Sequence, residues 1–266
     1  MFVPLQIQKG EINYLQNRVG NILLPNKHKE CENFYQGILS KVTKNGIVDG
    51  SDLSLLTFPF DKDHYDVFIS YSHNDEPEAL YLCAYLRSRG LDCFLDSTIW
   101  NSADALLGEI DKQYCWAKDG VHYDYEKRNF STSHVHAMLS MAMLEGIKRS
   151  ESCIFLRSNN SLTLHEGIGA KTLSPWIYEE ATFINNVQIS IPDRYRNPKL
   201  KMFCEGGRVE MRDSQSLDLK VTYNVNLTDF INIGYIDIYN KYGKTMLDDI
   251  YKKNRIINYV LKRLLE

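Results

Sequence analysis

Apolar positions change period several times along the chain, and each change marks a predicted element. Between residues 7 and 45, Ile12, Leu15, Val19 and Leu23 recur at i, i+3 and i+4 spacing, which predicts a helical N-terminal extension. Gly46, Gly50, Ser51 and Pro59 interrupt that pattern and put a boundary near residue 60, so residues 1–60 form the extension and residues 61–266 the main domain. Tyr65-Asp66-Val67-Phe68-Ile69-Ser70 is an apolar run ending in Ser70-Tyr71-Ser72, which reads as a buried parallel strand over Asp66–Ser70 feeding a polar loop.

Leu80, Cys83, Ala84 and Leu86 give the next segment, Glu78–Arg89, a helical face, and Gly90 supplies its stop. Gly90–Asp96 follows as a second strand closed by an acid, and Ala103–Tyr114 as a second helix. A polar, aromatic loop runs from Cys115 to Phe130, and Ser131-Thr132-Ser133 then reads as the cap of a helix reaching about Arg149. Cys153-Ile154-Phe155-Leu156 is a third strand, with Val187–Ile191 and Val221–Leu227 as candidates for the fourth and fifth. Lys244–Glu266 is basic and amphipathic through Ile250, Ile257, Val260, Leu261 and Leu264, which predicts a closing helix. Strands alternating with helices argue for an α/β fold around a parallel sheet with right-handed crossovers.

Composition narrows the function. At 266 residues and 44% hydrophobic, the chain supports one main core plus an accessory segment. Lys+Arg 31 against Asp+Glu 34 leaves no basic field for nucleic acid or an anionic membrane surface, so neither is an expected partner. No basic leader precedes an apolar stretch after Met1, and no long unbroken apolar run occurs, which gives a cytoplasmic expectation. The six cysteines are scattered without a Cys-x-x-Cys pair, so reduced thiols and no metal are expected. His134 and His136 are two apart on a helix and face away from each other, which argues against a shared ion with Cys115. Neither a P-loop nor a Gly-x-Gly-x-x-Gly motif is present, so ATPase and dehydrogenase readings lack support.

Ser174-Pro175 is a helix start with a mechanism, because the serine hydroxyl accepts from an orphan backbone N–H and proline loses nothing at the first position. Trp176 and Glu180 then lie one turn apart on one face, while Glu179 points about 100° away. Spacing alone leaves two readings of Glu180, a working carboxylate or a solvated one that favours the helix N-terminal region. Ser70, Tyr71 and Ser72 fall at a strand's carboxyl end, where hydroxyls either bind a ligand or cap the turn. Asp96 closes the second strand, and Trp100 either stacks on a ligand ring or anchors its loop.

Asp66-Val67-Phe68-Ile69-Ser70-Tyr71, Cys93-Phe94-Leu95-Asp96 and Ser174-x-Trp176-x-x-x-Glu180 resemble, in order, the first strand, second strand and catalytic helix start of TIR (Toll/interleukin-1 receptor) domains. The resemblance covers roughly residues 62–240. It implies a flavodoxin-like five-stranded parallel sheet flanked by helices, with 115–130 as an insertion. In NAD-cleaving members the glutamate four residues after the tryptophan is the catalytic carboxylate, and that position here is Glu180. The loop after Asp96 lacks the Arg-Asp and Pro-Gly elements of many members, so substrate contacts do not carry over there. Ser70, Tyr71, Ser72, Asp96, Trp100 and Trp176 are the expected substrate-binding residues around Glu180.

The resemblance implies an enzyme that takes NAD as substrate, needs no cofactor, releases nicotinamide and makes an ADP-ribose-derived signal nucleotide for a downstream effector. Thoeris-like antiphage systems work in this way. It also implies a homo-oligomer, since a neighbour's mobile loop commonly completes such sites, and here that loop carries Trp100. A non-enzymatic TIR interaction module and an enzyme like the nucleoside deoxyribosyltransferases stand as alternatives.

Overall fold

The computed structural model of the chain describes residues 3–26, 34–100, 103–165, 168–195 and 221–256. Its first element is a strand, β1 (Val3–Gln8), in which Val3, Leu5 and Ile7 alternate into the core. The chain passes straight into helix α1 (Lys9–Val19), which buries Ile12 and Leu15 and stops at Gly20, where φ is +84°. Leu23, the last position of the predicted stripe, lies beyond that stop and is exposed. Helix α2 (Phe34–Val42) leads into a small hairpin, β2 (Thr43–Lys44) and β3 (Ile47–Val48), turned by Asn45 and Gly46 at φ of 53° and 76°. Asp49 then caps helix α3 (Gly50–Thr57) by accepting from the amides of Ser51 and Asp52.

Strand β4 (Tyr65–Ser70), helix α4 (Glu76–Ser88) and strand β5 (Cys93–Phe94) form the expected strand-helix-strand unit. A short helix, α5 (Asp96–Ile99), and helix α6 (Ala103–Tyr114) lead to the long helix α7 (Tyr125–Arg149). The cap of α7 is Asp124, accepting from the amides of Glu126 and Lys127 at 3.0 and 3.2 Å, and not the Ser131 run. Ser131 sits inside the helix, where its hydroxyl donates to Asp111 at 2.9 Å across to α6. The predicted loop 115–130 therefore shrinks to a hairpin, closed by the Trp116 and Tyr123 rings 4.5 Å apart. Beyond α7 come strands β6 (Ser150–Arg157), β7 (Thr163–His165) and β8 (Ile168–Thr172), and then helix α8 (Pro175–Asn186). Strands β9 (Tyr223–Asn224) and β10 (Ile231–Ile233) and helices α9 (Tyr235–Ile238) and α10 (Gly243–Lys253) close the described chain. The outer part of the predicted closing helix, with Ile257, Val260, Leu261 and Leu264, lies outside the described residues.

The central sheet has five strands in the order β10-β1-β6-β4-β5, and every pairing is parallel. The spatial arrangement is the flavodoxin-like one, with β4 and β5 in its first and second places and β6 in its third. Its fourth place is taken by β1 from the N-terminus and its fifth by β10. This corrects the boundary near residue 60, because the start of the predicted extension is an inner strand of the sheet, paired on both sides. It also corrects both late strands. Val187–Ile191 is not a strand: Ile189 and Ile191 pack on the core edge, and β1 occupies the place in the sheet expected of this segment. Within Val221–Leu227, β9 joins a separate antiparallel sheet with β7 and β8, and the fifth strand follows at β10.

Two hydrophobic layers cover the sheet. On one face α1, α4, α9 and α10 pack on Leu5, Ile7, Val67, Ile69 and Ile154. On the other, α7 and α8 pack on Phe68, Phe94, Cys153 and Phe155. A smaller core joins α2, α3 and α6 to α7 through Tyr35, Leu39, Leu53, Leu106 and Val135. Helices α2 and α3 of the N-terminal sixty residues thus pack against α6 and α7, which follow β5.

Candidate active site

The connections leaving β4 and β6 diverge, one toward β5 and the other toward the opposite edge of the sheet. The carboxyl ends of these neighbouring strands are therefore the topological switch point, the position at which open parallel sheets bind ligands. Ser70 ends β4 there, fully buried on the same face as Phe68, because side chains two apart on a strand share a face. Helix α8 covers this face. Ser174 starts it as read from the sequence, accepting from the Ile177 amide at 3.3 Å. Its buried stripe is Ile177, Glu180, Ala181 and Ile184, so Glu180 occupies a position where the period calls for a hydrophobe. The solvated reading of Glu180 is thereby excluded, since the residue is 8% exposed.

The Ser70 hydroxyl donates to Glu180 Oε2, joining residues 110 apart in the chain. Burial pushes the Glu180 carboxyl up to about 8, the Ser70 hydrogen bond pulls against this, and the charges of Asp96 and Glu179 push further. Cys153 of β6 lies close enough for the Glu180 charge to raise its thiol, already raised by burial. Glu179 is half-buried rather than free in solvent; burial raises its carboxyl, and a hydrogen bond with Ser140 of α7 opposes that rise.

Tyr71 leaves the strand end on the opposite face and donates its hydroxyl to Asp96 Oδ1 at 2.9 Å. Asp96 also accepts from the Ser97 amide at 2.7 Å. Burial raises the Asp96 carboxyl, those two hydrogen bonds oppose the rise, Glu76 adds to it and His73 subtracts. Burial and the Asp96 charge hold the Tyr71 phenol protonated, so it stays a donor. Ser72 is buried in the same turn, and its carbonyl accepts from the Asp75 amide at 2.7 Å.

The two tryptophans stand differently. Trp100 is corrected as a substrate contact: it is 6% exposed, edge-on to Phe58, Phe60 and Phe94, and donates its indole N–H to Pro59 at 2.8 Å. It anchors the loop after β5 to the segment before β4. Trp176 is half-buried beside α7, with the His136 ring edge-on at 5.2 Å, and remains at the start of the helix that carries Glu180.

Sequence reading missed Asp75 and its partners. Asp75 is completely buried and accepts from Lys9 at 3.1 Å, from Asn160 at 2.7 Å and from the Ser158 hydroxyl. Lys9 follows β1 directly and also pairs with Glu78 at 2.8 Å, so this network ties the carboxyl ends of β1, β4 and β6 together. The alternation of Val3, Leu5 and Ile7 just before Lys9 was the available signal.

No helix among the described residues is long and apolar enough to cross a membrane. Comparison with models of protein families, with curated proteins and with solved structures gave no match.

Proposed function

We propose that this chain is a TIR-type, cytoplasmic enzyme that cleaves NAD at the bond between nicotinamide and ribose, with Glu180 as its catalytic carboxylate. The observation that carries the reading is the Ser70–Glu180 hydrogen bond at the carboxyl ends of the parallel strands, which unites the motif words of the first strand and the helix start. The reaction asks little of the protein beyond one well-placed negative charge. The C–N bonding pair returns to the ring nitrogen, neutralising the pyridinium, so nicotinamide leaves without a general acid. The ribosyl carbon passes through an oxocarbenium-like state, which a carboxylate in a low-dielectric site stabilises. Water, or a hydroxyl of an acceptor, then adds to that carbon and gives up a proton.

Burial raises the Glu180 carboxyl to about 8, so it holds its proton more tightly than an ordinary carboxyl. It becomes the working carboxylate when a cationic ring is bound beside it or when the pH rises. Ser70 orients it and favours the charged form. An ADP-ribose-derived signal nucleotide acting on a downstream effector in antiphage defence is the role proposed for the product, as the resemblance implies. Incubation with NAD, resolved by mass spectrometry, tests the reading. Nicotinamide and an ADP-ribosyl product in equal amounts are expected, and are lost in Glu180→Gln. Intact NAD alongside base exchange on deoxynucleosides would move the assignment to a nucleoside transferase, and inertness toward both would leave a binding module.

A further inference from the structure

Asp75 stands at the N-terminal cap of α4, where an aspartate ordinarily accepts from the helix's own orphan amides. Its side chain makes no such bond among the described residues and reaches to two other strand ends instead. Oδ1 accepts from Lys9 at 3.1 Å and from Asn160 at 2.7 Å, and Oδ2 accepts from the Ser158 hydroxyl. The strand register explains why these groups meet. Gln8 lies opposite Arg157 in the last pair of β1 and β6, so Lys9 and Ser158 each take the next step at the carboxyl end. Ser158 also accepts from the Asn160 and Ser161 amides at 2.9 and 3.1 Å, which makes it the centre of the turn leaving β6. The turn leaving β4 starts at Tyr71, next to Ser70, and is closed by the Asp75 amide donating to the Ser72 carbonyl at 2.7 Å. Lys9 pairs with Glu78 as well, so one ammonium serves two carboxylates.

We propose that Lys9 and Asp75 are positioning residues, a clamp by which the N-terminal strand fixes the turn carrying Tyr71 and Ser72 at the switch point. The Lys9 charge offsets the desolvation of a completely buried carboxylate. Without it, Asp75 keeps its hydroxyl and amide donors but loses its counter-charge, and the least costly relief is for the turn to swing toward water. The sheet stays in place meanwhile, because its two apolar layers do not depend on this contact. Strand β1 lies outside the segment that resembles TIR domains, so that resemblance assigns Lys9 no part. The inference rests on the NAD-cleaving reading only for what the turn helps to bind.

Hydrogen exchange read by mass spectrometry on the full chain, together with NAD kinetics, tests the clamp. In Lys9→Met the amides of residues 71–75 and 158–161 should exchange about tenfold faster, while those of β6 and α10 keep their rates. The KM for NAD should rise at least about fivefold with kcat within about twofold, the mark of a lost binding surface and not of lost chemistry. Lys9→Arg keeps the charge and should recover most of both losses. Asp75→Asn keeps the shape and removes the charge, and should reproduce the Lys9→Met pattern; combining the two should add little. Exchange that quickens evenly across the core, both turns at wild-type rates in folded Lys9→Met and Asp75→Asn, or an unchanged KM despite faster turns would overturn the proposal. Faster turns rescued by Lys9→Arg, in a protein whose wild type leaves NAD intact, would keep the clamp and remove the enzymatic reading.

Discussion

Both ends of the parallel sheet hold carboxyl groups away from solvent, and what differs is whether a cation meets them: the amino-end groups are paired, as is Asp75 at the carboxyl end through Lys9, whereas Glu180 and Asp96 are held without one among the described residues. At the amino end, Glu151 of β6 receives both arms of Arg194 at 2.6 and 2.7 Å and the Tyr251 hydroxyl at 3.2 Å. Asp66 of β4 accepts from the Asp92 amide at 2.8 Å and pairs with Lys244 at 3.3 Å. With His64 these groups have donor atoms within 4.8 Å of one another, a metal-like spacing, yet Arg194 and Lys244 already supply the positive charge. At the carboxyl end, Glu180 and Asp96 are held by hydroxyls and an amide, which orient a carboxyl without neutralising it. Burial alone does not separate a structural carboxylate from a working one. Under the proposed function, the absence of a counter-charge is what sets Glu180 apart.

Substitutions at the two ends should diverge accordingly. Glu151→Ala removes one of the two carboxylates that hold a partly buried guanidinium, Asp248 being the other, and takes the acceptor from Tyr251, and should cost about 3 kcal/mol in denaturant unfolding, with activity per folded molecule retained. A loss of activity at unchanged stability would break the contrast. Trp100→Ala should cost a similar amount, about 3–5 kcal/mol, because it empties an aromatic cluster, and should exceed the cost of Trp176→Ala at its half-buried site. Ser70→Ala is expected to lower turnover about tenfold and shift the pH dependence of activity upward, since the lost donor favours the ionised carboxylate. The remaining effect is on how stability depends on pH. The Glu180 carboxyl is raised from 4.5 to about 8 in the folded chain, so between those values the unfolded chain releases a proton that the folded chain keeps. Its contribution to stability therefore falls as pH rises through that window, and Glu180→Gln should flatten the slope and melt higher near pH 8.

Much of the carboxyl end was legible in the sequence because its signals are local. The Ser174-Pro175 start fixes the phase of α8, and the apolar run before Ser70 fixes the end of β4, so Ser70 and Glu180 could be named before their contact was seen. What failed depended on distant partners. Val3–Gln8 is too short to reveal that it lies between β6 and β10, and its placement removed the strand role read into Val187–Ile191. The start of α7 was misread because Ser131-Thr132-Ser133 and Asp124 both look like caps, and the Trp116–Tyr123 contact that favours Asp124 is a tertiary fact. Trp100 looked like a ligand platform because Phe58, Phe60 and Phe94, which enclose it, come from separate segments. This also removes the basis for a site completed by a neighbour's Trp100.

The pH dependence of kcat/KM for nicotinamide release from NAD tests the central claim most directly, compared between wild type and Glu180→Gln. Because the free protein must lose the proton held by a carboxyl raised to about 8, the rate constant should climb with pH and level off above that value. In Glu180→Gln it should lie about 10²–10³-fold lower and lose the climb. A wild-type profile flat across that range, or a Glu180→Gln variant that keeps both rate and profile, would contradict the assignment of the uncompensated carboxyl at the sheet's end as the working group.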